Sequence, residues 1–174
     1  MTFVPGAVRS RTQMISDVTT QAIEVRTLTE QETAVAYATL PMAEIGPWLE
    51  QAFREVAVYL ERKGAGPAGL AFARYRRAGD GLFEVEAGYP ASTPTSGEGN
   101  VEPSDLPGGP AAVTVHVGPY DAGESAALLL QAWVREQGAE PVGEAWEVFF
   151  IDATIDHDLA TWRTEVIQPF RPRA

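Results

Sequence analysis

Two ten-residue phrases, "GPAGLAFARY" at Gly66–Tyr75 and "EPVGEAWEVF" at Glu140–Phe149, decide how this chain is read. Pro67 matches Pro141, Gly69 matches Gly143, Phe72 matches Trp146 and Tyr75 matches Phe149, each 74 positions later. The correspondence runs outward in both directions. Glu24, Leu28 and Val35 recur as Glu102, Leu106 and Val113 after 78 positions, and Glu86 and Pro90 recur as Glu165 and Pro169 after 79. Small insertions in loops produce such drift, because added loop length costs little entropy. A long unit present only twice implies a duplicated supersecondary unit and not a solenoid.

Each copy has one inner grammar. In the first, "AIEVRTL" and "TAVAYAT" are β-branched runs separated by a polar turn, which predicts two strands. Ile45, Trp48, Leu49, Ala52, Phe53, Val56 and Leu60 then follow the spacing of one buried helical stripe. Pro47 suits a first helical turn and Gly64 a left-handed stop. In the second copy "AAVTVHV" is the strand and "GPY" the turn. Asp121 and Glu124 resemble a capping box, Ala126, Leu129, Leu130, Trp133 and Val134 form the stripe, and Gly138 ends the helix. Two more strands close each copy, "LAFARYR" with "LFEVEAGY" and "AWEVFFI" with "WRTEVIQ". The order is strand, strand, helix, strand, strand, twice.

A helix with one apolar stripe must hide it on a sheet. The expected fold class is therefore α+β, a tandem pseudo-twofold repeat. An antiparallel sheet carries two long helices on one face and leaves a ligand cleft on the other. Residues 1–18 read as a flexible tail and 19–174 as one domain, with halves at about 19–91 and 100–174. The Ser/Gly/Pro-rich stretch "ASTPTSGEGN", Ala91–Asn100, reads as a passive connector.

Composition narrows the function classes. A chain of 174 residues with 45 % hydrophobic and 21 % charged residues is long enough to bury a core. Its net charge of −11 opposes phosphate-backbone binding, so no direct nucleic-acid partner is expected. With no cysteine there is no disulfide, thiolate chemistry or Cys-type zinc site. No segment approaches the roughly 18 apolar residues of a membrane span, and the N-terminus lacks a signal-peptide core; a cytoplasmic address is the simplest. P-loop, Rossmann, HExxH and serine-elbow signatures are absent, and no cofactor is expected. His157 with Asp152, Asp156 and Asp158 lacks the spacing of a calcium loop and reads as a solvated acidic turn, so no metal is expected.

Glu147 stands out in "EPVGEAWEVFF", a carboxylate inside an aromatic, β-prone run. Strand alternation puts Ala145, Glu147, Phe149 and Ile151 on one face and Trp146, Val148 and Phe150 on the other. The all-apolar set is expected to meet the helices, leaving Glu147 beside Phe149 in the groove; an ordinary solvent-facing glutamate is the alternative. Tyr75, the counterpart of Phe149, would line the opposite wall. His116 shares a face with Thr114 and looks either into the groove or into plain structure. Trp162 is a cleft wall or a core filler. Trp48, Phe53 and Trp133 are expected in the core, Tyr120 in the turn, and the matched Glu86 and Glu165 in solvent.

The phrases "LPGGPAAVTVHVGPYD", "WVREQGAEPVGEAWEVFF" and "TWRTEVIQP" resemble the GyrI-like family, over about Thr19–Phe170. That family includes the effector-binding domains of AraC-type and MerR-type multidrug regulators and free-standing relatives. The resemblance implies a hydrophobic cleft in which a glutamate on the "WEVFF" strand contacts bulky, often cationic ligands. Only Glu147 holds that position, since its first-half counterpart is Ala73. The stretch before Thr19 is too short for a helix-turn-helix module. The resulting expectation is a stand-alone binding protein for hydrophobic, aromatic or cationic drug-like molecules, with Glu147, Phe149, Tyr75, His116 and Trp162 as ligand residues. Free-standing members that open electrophilic rings imply a second reading, a hydrolase using Glu147 and Tyr75. A third is a protein-binding inhibitor or adaptor, and a homodimer is open.

Overall fold

The periodic stripe of the first copy becomes the buried side of helix α1, Met42–Lys63, where Ile45, Leu49, Ala52, Val56 and Leu60 are buried. The helix starts a turn earlier than Pro47 suggests. Glu44 lies in its first turn and Arg62 and Lys63 in its last, each suited to the helix dipole. Gly64 ends it at φ +66°, donating to the Glu61 carbonyl at 3.1 Å while Ala65 donates to Leu60 at 2.9 Å.

The computed structural model describes residues 19–20, 22–117, 123–150 and 163–173. The expected tail, the Asp121 cap, Tyr120, Ile151, the acidic turn and Trp162 fall outside them. The strands are β1 (Thr19–Thr20), β2 (Glu24–Leu28), β3 (Gln31–Pro41), β4 (Phe72–Gly79) and β5 (Leu82–Pro90), then β6 (Glu102–Leu106), β7 (Gly109–Val117), β8 (Ala139–Pro141), β9 (Trp146–Phe149) and β10 (Arg163–Pro172). Helix α2 is Gly123–Glu136.

All ladders are antiparallel, and the sheet runs β1-β7-β10-β9-β4-β5-β3-β6, with β2 also on β7 and β8 on β10. The leading strands change sides. β2 joins the ladder of β7, and β6 joins that of β3. The central strands are β4 and β9, one from each half.

Paired residues of an antiparallel ladder share a face. One such row crosses six strands as Ala36, Ala87, Ala73, Glu147, Val166 and Thr114. At one end Ala36, Ala87 and Ala73 pack with Ile45, Leu49 and Val56 of α1. At the other Val166 packs with Ala126, Leu130 and Val134 of α2. Both helices therefore lie on the face that carries Glu147.

The other face is not left to solvent. Val35, Phe72, Trp146, Ile167 and Val113 form a separate apolar cluster, joined by Leu28 of β2 and Leu106 of β6 from opposite ends of the sheet. A sheet curled into a half-barrel has an inside, and this cluster fills it. Gly88 suits that curl: a side chain there would meet the Ala34 carbonyl oxygen at 1.9 Å.

The connector is tied down. Ala91 is buried and donates to the Glu32 carbonyl at 2.8 Å, Ser92 donates to Ala65 at 2.8 Å, and the Gly97 amide reaches the Tyr59 hydroxyl at 3.0 Å. Arg62 and Glu98 add an ion pair.

Candidate functional site

The curl reverses the expected orientation of β9. Trp146 and Val148 turn away from the helices into the half-barrel, because that interior is apolar enough to take them. Glu147 and Phe149 face the helix side, where α1 covers β3 and β5 and α2 covers β7, β8 and β10. The strands between are β4 and β9. Glu147 thus lies on the helix-bearing face of the two central strands, register-paired with Ala73.

Glu147 is only 5 % exposed. The Tyr75 hydroxyl, from β4, donates to its Oε2 at 3.3 Å. Burial pushes the carboxyl up to about 8, against a smaller downward pull from that hydrogen bond. Among the described residues no guanidinium, ammonium or imidazole contributes to offset the burial. At neutral pH the group therefore holds its proton. Tyr75→Phe removes the one downward pull and is expected to raise the Glu147 midpoint by up to about one unit. A carboxyl-carbon NMR titration reads this directly, and an unmoved midpoint would show that the phenol bond carries no weight.

Aromatic rings pack together on the α1 side of this face. The Phe53 ring of α1 packs edge-on against Phe149 at 5.7 Å and against Tyr89 of β5 at 5.9 Å, both in the preferred T-shaped range. Phe53 packs against the core as expected, and within it joins this chain of rings. Tyr89 also went unmarked. Its position next to Pro90 at a strand end carries no functional signal.

Toward α2 this face turns polar. Phe149 pairs with Thr164 and Thr164 with His116, so His116 and Thr114 share the Glu147 face. His116 is buried, 2 % exposed. Four of the five expected ligand residues, Glu147, Phe149, Tyr75 and His116, thus share one face of the sheet; Trp162 lies outside the described residues.

The matched glutamates are not in solvent. Glu165 accepts both Arg26 guanidinium nitrogens at 2.8 Å. Glu86 accepts Arg74 at 2.8 and 2.9 Å and the Ser104 hydroxyl at 2.8 Å. Both pairs belong to the half-barrel face, where partners let buried charge persist. A depression of about 530 Å³ lies over β3, β4 and β5, lined by Tyr37, Arg74, Arg76, Glu84, Glu86 and Glu144 among others. Its guanidiniums are already paired with Glu86 and Glu84, so it offers an incoming charge little.

A family profile described as GyrI-like small molecule binding domain matches residues 21–171. The chain belongs to the GyrI-like family. Solved structures share the GyrI-like fold at low identity. The EcmrR protein in its DNA complex aligns at a TM-score of 0.70 with 18 % identity, over 88 % of this chain and 58 % of that one. This chain therefore spans a little over half the length of EcmrR. The EcmrR C-terminal domain alone gives 0.63 and 19 %, over 91 % of this chain and 100 % of that domain. SAV2435 bound to tetraphenylphosphonium gives 0.56 and 11 %, over 87 % and 94 %. No curated protein sequence matches the chain. Among the described residues of this GyrI-like domain, no helix is long and apolar enough to cross a membrane.

Proposed function

We propose that this GyrI-like domain, read as residues 19–174, binds bulky aromatic cations at the sheet face between α1 and α2, with Glu147 as the anchor and Tyr75, Phe149 and His116 beside it. One observation carries the reading. Glu147 is a buried carboxyl whose one partner among the described residues is a phenol, and a cation entering there supplies a counter-charge that those residues do not. The rings add cation–π attraction of roughly 0.5–2 kcal/mol per contact. A structural relative that holds tetraphenylphosphonium supports the ligand class.

Two probes of one shape and opposite charge test the reading. Tetraphenylphosphonium is expected to bind at pH 8.5 in calorimetry, and tetraphenylborate is not. Equal affinity for both would mean that shape alone governs the site and that Glu147 is no anchor.

One geometric feature favours a second reading. A protonated carboxyl hydrogen-bonded to a phenol is equipped for general acid catalysis, as a hydrolase of electrophilic rings requires. Mass spectrometry after incubation with an electrophile panel distinguishes the two: stoichiometric binding without product removes the enzyme.

A further inference from the structure

Strand β10 is continuous, and so is β7 on one side of it, yet its other side is split between two strands. It pairs with β9 through Thr164–Ile167 and with β8 through Phe170–Pro172. Opposite the two residues between, Gln168 and Pro169, the chain leaves the ladder as a turn over residues 142–145, with Gly143 at φ +68°. Pro169 has no N–H to offer a neighbouring strand. One main-chain bond survives, from the Val142 amide to the Pro169 carbonyl at 2.9 Å.

The Gln168 side chain fills that gap. It is fully buried, on the same face as Glu147 and α2. Its Nε2 donates toward the carbonyls of Pro169 at 2.8 Å, Gly143 at 3.3 Å and Val142 at 3.4 Å. Its Oε1 accepts Gln131 Nε2 of α2 at 3.1 Å. One amide therefore joins helix, strand and turn, and that turn ends one residue before Trp146 begins β9.

We infer that Gln168 is a positioning residue for Glu147: by clamping the turn over 142–145 to β10 and α2, it fixes where β9 enters the sheet and how deeply the Glu147 carboxyl sits. The two halves make an internal comparison. Ala68 bonds to the Pro90 carbonyl at 2.9 Å, as Val142 does to Pro169. At the positions matching Gln168 and Glu147, however, the first half has Tyr89 and Ala73. The clamp accompanies the acid. These contacts need two N–H donors and an acceptor on one side chain, a set that neither glutamate, with at most one donor, nor leucine, with none, supplies.

The consequence for ligand affinity rests on the cation-binding reading above; the consequence for the carboxyl does not. Gln168→Met keeps length and apolar bulk while removing both hydrogen-bonding groups. Freed from the clamp, β9 lets water reach Glu147, and its NMR midpoint is expected to fall by about one unit. Tetraphenylphosphonium affinity at pH 8.5 is expected to weaken by about tenfold. A variant that melts lower but keeps the parent midpoint and affinity would reduce Gln168 to ordinary structure and overturn the inference. If Gln168→Met does not fold, Gln131→Met removes only the helix contact, and a two- to threefold loss with the same direction of midpoint shift is expected, roughly the share of one hydrogen bond; no change in either overturns it. Should the parent itself ignore tetraphenylphosphonium, the cation reading fails, and the midpoint still decides the role of Gln168.

Discussion

Glu147→Gln is expected to melt about 5–10 °C above the parent protein at pH 8.5 and within a degree or two of it at pH 4.5. The carboxyl has its midpoint at about 8 in the folded protein against an ordinary value of 4.5. Below pH 4.5 the folded and unfolded chains both hold the proton, and the group leaves stability intact. Between 4.5 and 8 the unfolded chain releases it while the folded chain keeps it, so stability falls as pH rises. Above 8 the loss is complete, on the order of 3–5 kcal/mol for this one group. Glutamine is neutral throughout and has no such slope. The net charge of −11 adds its own pH dependence to both proteins, so the difference between the two melting curves is the quantity to measure. Parallel curves would show that Glu147 is ionised in the folded state and that its burial is not felt.

Cation binding should expel that proton. At pH 7 a group titrating near 8 is about nine-tenths protonated, and a bound phosphonium or ammonium favours the carboxylate. About nine-tenths of a proton is therefore released for each cation bound. Affinity should rise by nearly tenfold per pH unit up to about 8 and then level off. Calorimetry of tetraphenylphosphonium in two buffers of different ionisation enthalpy counts the protons, and a pH series gives the slope. In Glu147→Gln the slope should vanish and the affinity at pH 8.5 fall by at least about tenfold. Tight binding with no proton exchange and no slope would place the cation away from Glu147.

The element order and an unusual acid in β9 were legible in the sequence because both rest on local pattern. Helix stripes show as a 3.6-residue period, and a glutamate in "WEVFF" is conspicuous against its neighbours. Tyr75 was reachable as the counterpart of Phe149. The direction in which Glu147 points was not reachable. The rule that the all-apolar face of a strand meets the helices assumes that the other face is wet, and here the curl gives Trp146 and Val148 an apolar interior of their own. Glu86 and Glu165 were misread for a related reason: Arg74 and Arg26 lie on other strands, and only register brings them together. Phe53 was legible as a core stripe residue, but its contact with Phe149 depends on how α1 is placed over the sheet. Gln168 left no trace beyond the proline that follows it.

The exchange of leading strands has a consequence for how the molecule comes into being. Since β2 completes the sheet of the later half and β6 that of the earlier one, neither stretch can finish its own architecture. A chain severed between the halves would yield two fragments that each lack a border and supply the other's. The ladder that joins β4 to β9, where Glu147 lies, likewise takes one strand from each side of the cut, so neither fragment alone could form it.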